Sequence, residues 1–340
     1  MKEVSTIGID IAKSVFQVHG INQAGDVVIR RKLRRGEVGE FFKRLPVCLI
    51  GIEACASGHY WARTLIDMGH DVKLMPAAYV KPYVKRQKND AADAEAICEA
   101  VQRPTMRFVP VKNEEQQGVL MLHRARELLV RQKTMLINAL RAHLAELGIV
   151  ARLGVMGVRD LVALVEETNQ CEVPEIVRRA LLPLCDQLRH VQEKIGEMDR
   201  QILEWHRSNA LSQRLETIPG IGPVTASAIA ATITDVSRFH SGRQLAAWIG
   251  LVPRQSSSGG KERLGRITRQ GDPYLRRLLV IGATAVLRFS RKSKTASTQW
   301  ATGLLERKPA KVAAVALANK MARIAWALMT KETSFRTVTG

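Results

Sequence analysis

The stretch Ile7-Gly8-Ile9-Asp10-Ile11-Ala12-Lys13 decides how the first part of this chain is read. Isoleucine at every second place is the period of a strand, and β-branched side chains favour that state. Asp10 breaks the apolar pattern. A carboxylate withdrawn from water needs a partner, and a metal ion is one that makes it tolerable. The plain alternative is an edge strand that turns Asp10 to solvent.

Working outward, residues 4–11, 15–21 and 27–33 read as three strands, the last two joined by Asn22-Gln23-Ala24-Gly25-Asp26, a hairpin-type turn. An amphipathic helix over 37–44 follows. Residues 47–52 form a continuous apolar strand of the kind covered on both faces, and Glu53 ends it. A helix over 59–68 stops at Gly69; a strand at 71–75 and a helix from Asp90 to about Val101 come next. Three antiparallel strands, then helix, strand, helix, strand, helix, is the order of an RNase H-like (RuvC-like) mixed sheet. Its first strand is expected at the centre, beside the strand that ends in Glu53. Sites in open α/β sheets form at the carboxyl ends of adjacent parallel strands, where Asp10 and Glu53 both fall. Asp90 and Asp93, three apart, share a helix face. Four carboxylates so placed suit magnesium, which takes oxygen ligands and keeps some waters. Favourable charge at a helix N-terminus explains Asp90 or Asp93 singly, but not all four positions in one topology.

From Glu114 the pattern changes to long helices. Leu122, Leu129 and Leu136 are seven apart, and Leu140 and Leu147 continue the alternation. Val177, Leu181, Leu184, Leu188, Val191, Ile195, Met198, Ile202 and Trp205 alternate steps of four and three, a seam that asks for a partner helix. Gly148, Gly154, Gly157 and Pro174 lie between, so the two helices either fold back on each other or pair between subunits. Pro183 predicts a kink or a later true start. The expected role is a scaffold or dimerisation arm.

Pro219-Gly220-Ile221-Gly222-Pro223, between helical segments, has the form of a helix-hairpin-helix turn. Gly220 and Gly222 permit a tight turn, and the amides at the next helix's start, near Thr225, suit a phosphate. Such a turn grips backbone and reads no bases; a simple helix–helix connection is the alternative. Downstream, Ser256-Ser257-Ser258-Gly259-Gly260 reads as a flexible loop, followed by Lys261, Arg263, Arg266 and Arg269. Arginine forks clamp phosphate bidentately, and a serine among them is placed to attack a phosphodiester. A Ser/Gly linker is the bland reading. From Tyr274 to Met329 the chain is expected to be helical, with alanine-rich apolar faces.

The chain of 340 residues carries 46% hydrophobic residues, the profile of a globular protein with two or three domains. Its net charge of +20 is uneven: residues 251–340 hold 18 Lys+Arg against four Asp+Glu, and the rest 34 against 28. That concentration points to a polyanion, nucleic acid before a membrane surface. No apolar run approaches about 18 residues, so no membrane span is expected, and the start leaves no room for a signal peptide. Five cysteines without a C-x-x-C pair suggest buried free thiols in a reducing cytosol.

These residues together resemble the DEDD transposases of bacterial insertion sequences, bridge-RNA-guided recombinases, over nearly the whole chain. Gly8-Ile9-Asp10-Ile11-Ala12-Lys13 is similar to the family's first acidic motif, Gly51-Ile52-Glu53-Ala54 to the second, and Lys88-Asn89-Asp90-Ala91-Ala92-Asp93-Ala94 to the paired third and fourth. Residues 114–208 resemble its coiled-coil connector. Residues 218–277 resemble its C-terminal transposase domain, whose pattern Pro-x4-Ser-Gly-x5-Gly-x-Ile is carried by Pro253, Ser258, Gly259, Gly265 and Ile267. The resemblance implies Mg2+ at Asp10, Glu53, Asp90 and Asp93, and Ser258 as a nucleophile that forms a 5′-phosphoserine and frees a 3′-hydroxyl, the two parts forming a composite site. Three consecutive serines leave the register open by one residue, which would give the role to Ser257. It further implies donor and target DNA chosen by a structured non-coding RNA, a homo-oligomer built as a tetramer from dimers, and a cytoplasmic, nucleoid-associated bacterial protein.

The expected layout is a RuvC-like DEDD domain over 1–110, dimerisation helices over 111–210, and a mostly helical transposase domain with the helix-hairpin-helix and serine loop over 211–340. Lys261, Arg263, Arg266 and Arg269 join Gly220, Gly222 and Thr225 as nucleic-acid contacts. The rival readings are a RuvC-like nuclease or junction resolvase that cuts with metal-activated water, and a non-catalytic nucleic-acid scaffold. An actin-like sugar kinase would need a second Gly-rich phosphate loop, and Pro219–Pro223 sits in helical, basic surroundings.

Overall fold

The computed structural model describes residues 3–85, 89–167, 173–289 and 296–335, with backbone alone at 296–298. The chain forms two compact units, Met1–Glu115 and Gln116–Gly340.

The first unit is built on a five-stranded sheet. Its elements are β1 (Thr6–Ile11), β2 (Val15–Ile21), β3 (Val27–Arg34), α1 (Val38–Lys43), β4 (Leu49–Glu53), α2 (Gly58–Asp67), β5 (Asp71–Met75), α3 (Ala77–Val80) and α4 (Asp90–Val101). The strand order is β3-β2-β1-β4-β5. β1 and β2, and β2 and β3, run antiparallel, while β1–β4 and β4–β5 are parallel. A mixed sheet in this order is compatible with an RNase H-like domain, and β1 lies at its centre beside β4.

Side chains alternate across β1. Ile7 and Ile9 are buried with Ile50, Ile52, Trp61 and Leu65 in a core that α2 closes on one face. On the other face Gly8 pairs with Gly51 of β4. Those two glycines make a bare patch on which α4 lies: a Cβ at Gly8 would fall 2.2 Å from the Ala94 carbonyl oxygen and 2.3 Å from the Cys98 nitrogen. A Cβ at Gly51 would fall 2.8 Å from Val101 Cβ. Glycine inside a strand marks this kind of close approach.

The second unit contains nearly all of α5 (Glu114–Ala145), then α6 (Val155–Glu166), α7 (Glu175–Ser208), α8 (Ala210–Glu216), α9 (Pro223–Thr232), α10 (Gly242–Trp248), β6 (Pro253–Gln255), β7 (Leu264–Ile267), α11 (Pro273–Phe289), α12 (Ala296–Leu305) and α13 (Ala310–Lys331). α5 and α7 run antiparallel. Arg126 pairs with Asp199 toward one end, and Leu140 and Leu144 share a core with Leu181, Cys185 and Leu188 toward the other. α7 starts at Glu175, with Pro174 as its cap, and runs through Pro183, so the later start is not taken. Leu147 lies beyond the end of α5 and is exposed.

A second core gathers α8 to α13, with Leu215, Ile229, Leu245, Leu275, Leu279, Leu317 and Met321 among its buried residues. Against expectation, α13 is long and apolar enough to cross a membrane by length and composition. Its alanines raise the hydropathy without lengthening any apolar run, since Lys320 and Arg323 interrupt it. Half of its most apolar window is buried inside the unit, Ala318, Met321 and Ala325 facing the core. The four described cysteines are free, and Cys48, Cys98 and Cys185 are buried; Cys171 lies outside the described residues. Burial pushes the Cys48 and Cys185 thiols up to about 11 and Cys98 to about 12.

Candidate functional site

α4 carries the site to the sheet. Asn89 caps it, its side-chain oxygen accepting from the Ala92 N–H at 2.8 Å. With that task taken by Asn89, the carboxylates of Asp90 and Asp93 project from the first turn. Asp10 stands two residues beyond Gly8, so strand alternation points it to the α4 face. Ligand oxygens of Asp10, Asp90 and Asp93 all lie within 4.8 Å of one another. Asp10 and Asp93 are half-buried, and Asp90 is exposed.

Glu53 ends β4, one step past the paired Ile9 and Ile52, and alternation from Gly51 gives it the same face. It stands outside the tight group of three, yet near enough for its charge to act on Asp10. Burial first, then the charges of Asp93, Asp90 and Glu53, push the Asp10 carboxyl up to about 6. None of Asp10, Asp90 and Asp93 forms an ion pair among the described residues. Crowded carboxylates without a counter-cation suit a hard divalent ion, and the donor set is oxygen alone.

The serine stretch is an ordered hairpin. β6 and β7 pair antiparallel, the Ser256 N–H donates to the Arg263 carbonyl at 2.9 Å, and the Lys261 N–H closes the turn on the Ser258 carbonyl at 3.1 Å. Gly259 and Gly260 have φ of 57° and 77°, the left-handed pair that a two-residue hairpin turn requires. The expected flexible loop is therefore not found: Ser/Gly composition is shared by linkers and by this ordered turn. Pairing of Ser258 with Lys261 puts Ser256, Ser258, Lys261 and Arg263 on one face of the ribbon. The three serines are exposed. The Ser257 hydroxyl accepts from the Gln255 side chain at 3.2 Å and the Arg263 N–H at 3.3 Å; the Ser258 hydroxyl has no hydrogen-bond partner among the described residues. Arg254, Arg263, Arg266 and Arg269 line a cleft of about 440 Å³ beside the ribbon. Arg269 is itself held at a φ of 56°, an uncommon state for a residue with a side chain.

The Pro219–Pro223 turn is sorted by burial. Gly220, at a φ of 89°, lies against Gly282 and Met321, where a Cβ would meet atoms at 2.9 and 3.0 Å. Gly220 therefore serves close packing against α11 and α13. Thr225 is buried. Gly222 alone of the three is exposed, with open space where a side chain would stand.

Sequence reasoning missed Gly8 and Gly51 as the seat of α4, and glycine within a β-branched strand was the available signal. It also missed His123, which is buried between Tyr274 (3.0 Å) and Ser227 (3.1 Å) and ties α5 to α11 and α9. A lone histidine in a helix gives no such signal.

Two family models match. One, described as a transposase of the DEDD type, covers residues 7–149, and the other, described as the transposase IS116/IS110/IS902 family, covers 212–298. A "probable family 20 transposase" of Pseudomonas aeruginosa is 50% identical, over 98% of this chain and 99% of its own length. The transposase for insertion sequence element IS1111A of Coxiella burnetii is 39% identical over 99% of this chain and 92% of its own. A pilin gene-inverting protein of Moraxella lacunata is 27% identical over 74% and 73%. The acidic centre falls within the first family match and the serine hairpin within the second. The chain belongs to the IS116/IS110/IS902 family of insertion-sequence transposases, enzymes that cut and rejoin DNA.

Proposed function

We propose that this transposase is a magnesium-dependent DNA recombinase that works through a serine nucleophile and is guided by a structured non-coding RNA. The observation that carries the reading is the convergence of Asp10, Asp90 and Asp93 within 4.8 Å, with Glu53 on the neighbouring strand end. These four residues would hold the ion. When bound, magnesium supplies Lewis-acid stabilisation of charge on a reacting phosphate. Asp10, on the central strand, and Asp93, on the helix seated at Gly8, fix the spacing of the ligands.

Ser258 is the proposed nucleophile. Its oxygen attacks phosphorus, the P–O3′ bond breaks, and a 5′-phosphoserine and a free 3′-hydroxyl result, the serine proton leaving to solvent as the 3′-oxygen takes one up. The unengaged Ser258 hydroxyl and its place beside Lys261 and Arg263 favour it over Ser257, whose hydroxyl is held by the hairpin. Lys261, Arg263, Arg266 and Arg269 offset charge on the phosphate. Gly222, at the start of α9, is the part of a helix-hairpin-helix turn open to a DNA backbone. The long α5–α7 arm serves assembly into dimers and a tetramer. The RNA selects both DNA sites by pairing, so the protein reads backbone and shape.

The test is purification from the native locus, sequencing of any bound RNA, and strand exchange with donor and target DNA. A discrete RNA species, exchange by the wild type and none by Ser258→Ala with binding kept are expected. Normal exchange by Ser258→Ala would remove the serine assignment. Absence of any discrete RNA would favour a hydrolytic RuvC-like resolvase.

A further inference from the structure

In the second unit, α10, α12, α13 and the β6–β7 ribbon enclose a groove of about 1620 Å³. Arg243, Arg266, Arg269, Lys311, Lys320 and Arg323 line it, and no acidic residue does. None of these six cations forms an ion pair among the described residues. Lys320 is held below its usual range by burial and by Arg323, so the cluster is a set of like charges without compensation. Between them the walls are apolar: Trp300, Val312, Val315 and Ile324. Trp300 remains 40% exposed. The Lys320 ammonium stands 4.4 Å from the Trp300 ring centroid, which fixes the ring and sets a cation beside it.

A duplex keeps its base faces stacked inside and has only phosphates to offer such a surface. A separated strand offers phosphates and bare base faces together, and that combination matches a basic groove with an aromatic wall. The neutral polar groups of the lining are partly engaged. Ser241 Oγ accepts from the Gln244 N–H, Asn319 donates to the Leu251 carbonyl, and Trp326 donates to the Phe239 carbonyl. The choice of DNA over RNA rests on the family's action on DNA, since a ribose 2′-hydroxyl is what tells the two apart.

We propose that this groove binds a single strand of DNA, its phosphates along the Lys311, Lys320 and Arg323 edge and an unstacked base against Trp300. The proposal rests on the chain acting on DNA, and adds a place for a strand that has left the duplex.

The test is fluorescence anisotropy on the full-length protein with a labelled single-stranded DNA of about 15 nucleotides, the same sequence as RNA, and the matching duplex. Trp300→Ala is expected to weaken single-stranded DNA binding about tenfold, since base–aromatic stacking is worth about 1–3 kcal/mol. Lys311→Gln with Lys320→Gln is expected to lower the slope of log affinity against log salt by about 1.4, for two phosphate contacts on a single strand. Lys311→Glu, at an exposed site without an ion pair, is expected to weaken binding severalfold without touching the core, and decides the matter should Trp300→Ala fail to fold. Duplex binding is expected to fall less than single-strand binding in each variant. Wild-type single-strand affinity in folded Trp300→Ala and in Lys311→Glu overturns the groove while duplex binding upholds the DNA reading. Loss of RNA binding with DNA binding unchanged overturns the assigned occupant. A wild type that binds no DNA at all removes both.

Discussion

Gly8 and Ala94 meet backbone to backbone, so closely that a Cβ on Gly8 would lie 2.2 Å from the Ala94 carbonyl oxygen. The acidic centre depends on that approach. α4 rests directly on β1, and Asp93, the neighbour of Ala94, and Asp90, one turn earlier, come over Asp10 two residues after Gly8. The spacing of these carboxylates is thus set by a residue with no side chain.

Gly8→Ala should therefore lift α4 from the sheet. Its Cβ meets main-chain atoms of Ala94 and Cys98, which no rotamer change relieves. A loss of about 3 kcal/mol or more is expected, at or above the upper end for overpacking. Denaturant unfolding of the purified variant measures it. Metal affinity at the acidic centre should fall with it; unchanged stability would show that α4 has room to spare.

The carboxylate centre should make the protein less stable without a cation. The Asp10 carboxyl is raised to about 6 by burial and by Asp93, Asp90 and Glu53. The folded state therefore holds its proton up to about pH 6 while the unfolded state releases it near 4, so metal-free stability should fall as pH rises across that window. At pH 7 Asp10→Asn should stabilise the metal-free protein by roughly 1–2 kcal/mol while abolishing DNA cleavage. Magnesium should raise the melting temperature of the wild type and leave that of Asp10→Asn nearly unmoved. Equal responses in the two thermal melts would place the ion elsewhere.

His123 should give the second unit an opposite dependence. Ser227 Oγ donates to the Pro223 carbonyl at 2.7 Å, so the histidine Nε2–H donates to Ser227 and Nδ1 accepts from the Tyr274 hydroxyl, the neutral tautomer. Burial, with Arg126 and Arg124 nearby, holds His123 down to about 4. Between about 6.5 and 4 the unfolded state binds the extra proton, so stability is lost on acidification through that range, by up to about 3 kcal/mol. His123→Gln should be less stable at pH 7 and flatter across the same window. Parallel pH profiles by urea unfolding would contradict this.

Local pattern made much of the first unit legible. The isoleucine period placed β1, the apolar run placed β4, and the Asp90–Asp93 spacing placed two acids on one face of α4. The pairing of Gly8 with Gly51 was not legible, because it joins strands more than forty residues apart and leaves no local trace beyond an odd glycine. Composition failed where two structures share it. Ser-Gly-Gly suits a linker as well as a left-handed hairpin turn, and the difference lies in the Ser256–Arg263 and Ser258–Lys261 pairing. Gly220 read as a phosphate-facing residue because its neighbours gave no hint that Gly282 packs on it. The same limit hid the groove, whose cations come from α10, the ribbon and α13.

In the proposed reaction Ser258 takes the DNA strand covalently with the acidic centre loaded. Its most direct test is a denaturing gel of the protein–RNA assembly incubated with end-labelled donor DNA and magnesium, followed by peptide mapping. A labelled protein–DNA adduct mapped to Ser258 is expected, absent from Ser258→Ala and Asp10→Asn and retained in Ser257→Ala. Cleaved DNA with free ends and no adduct in the wild type would contradict it, and would assign the cut to metal-activated water.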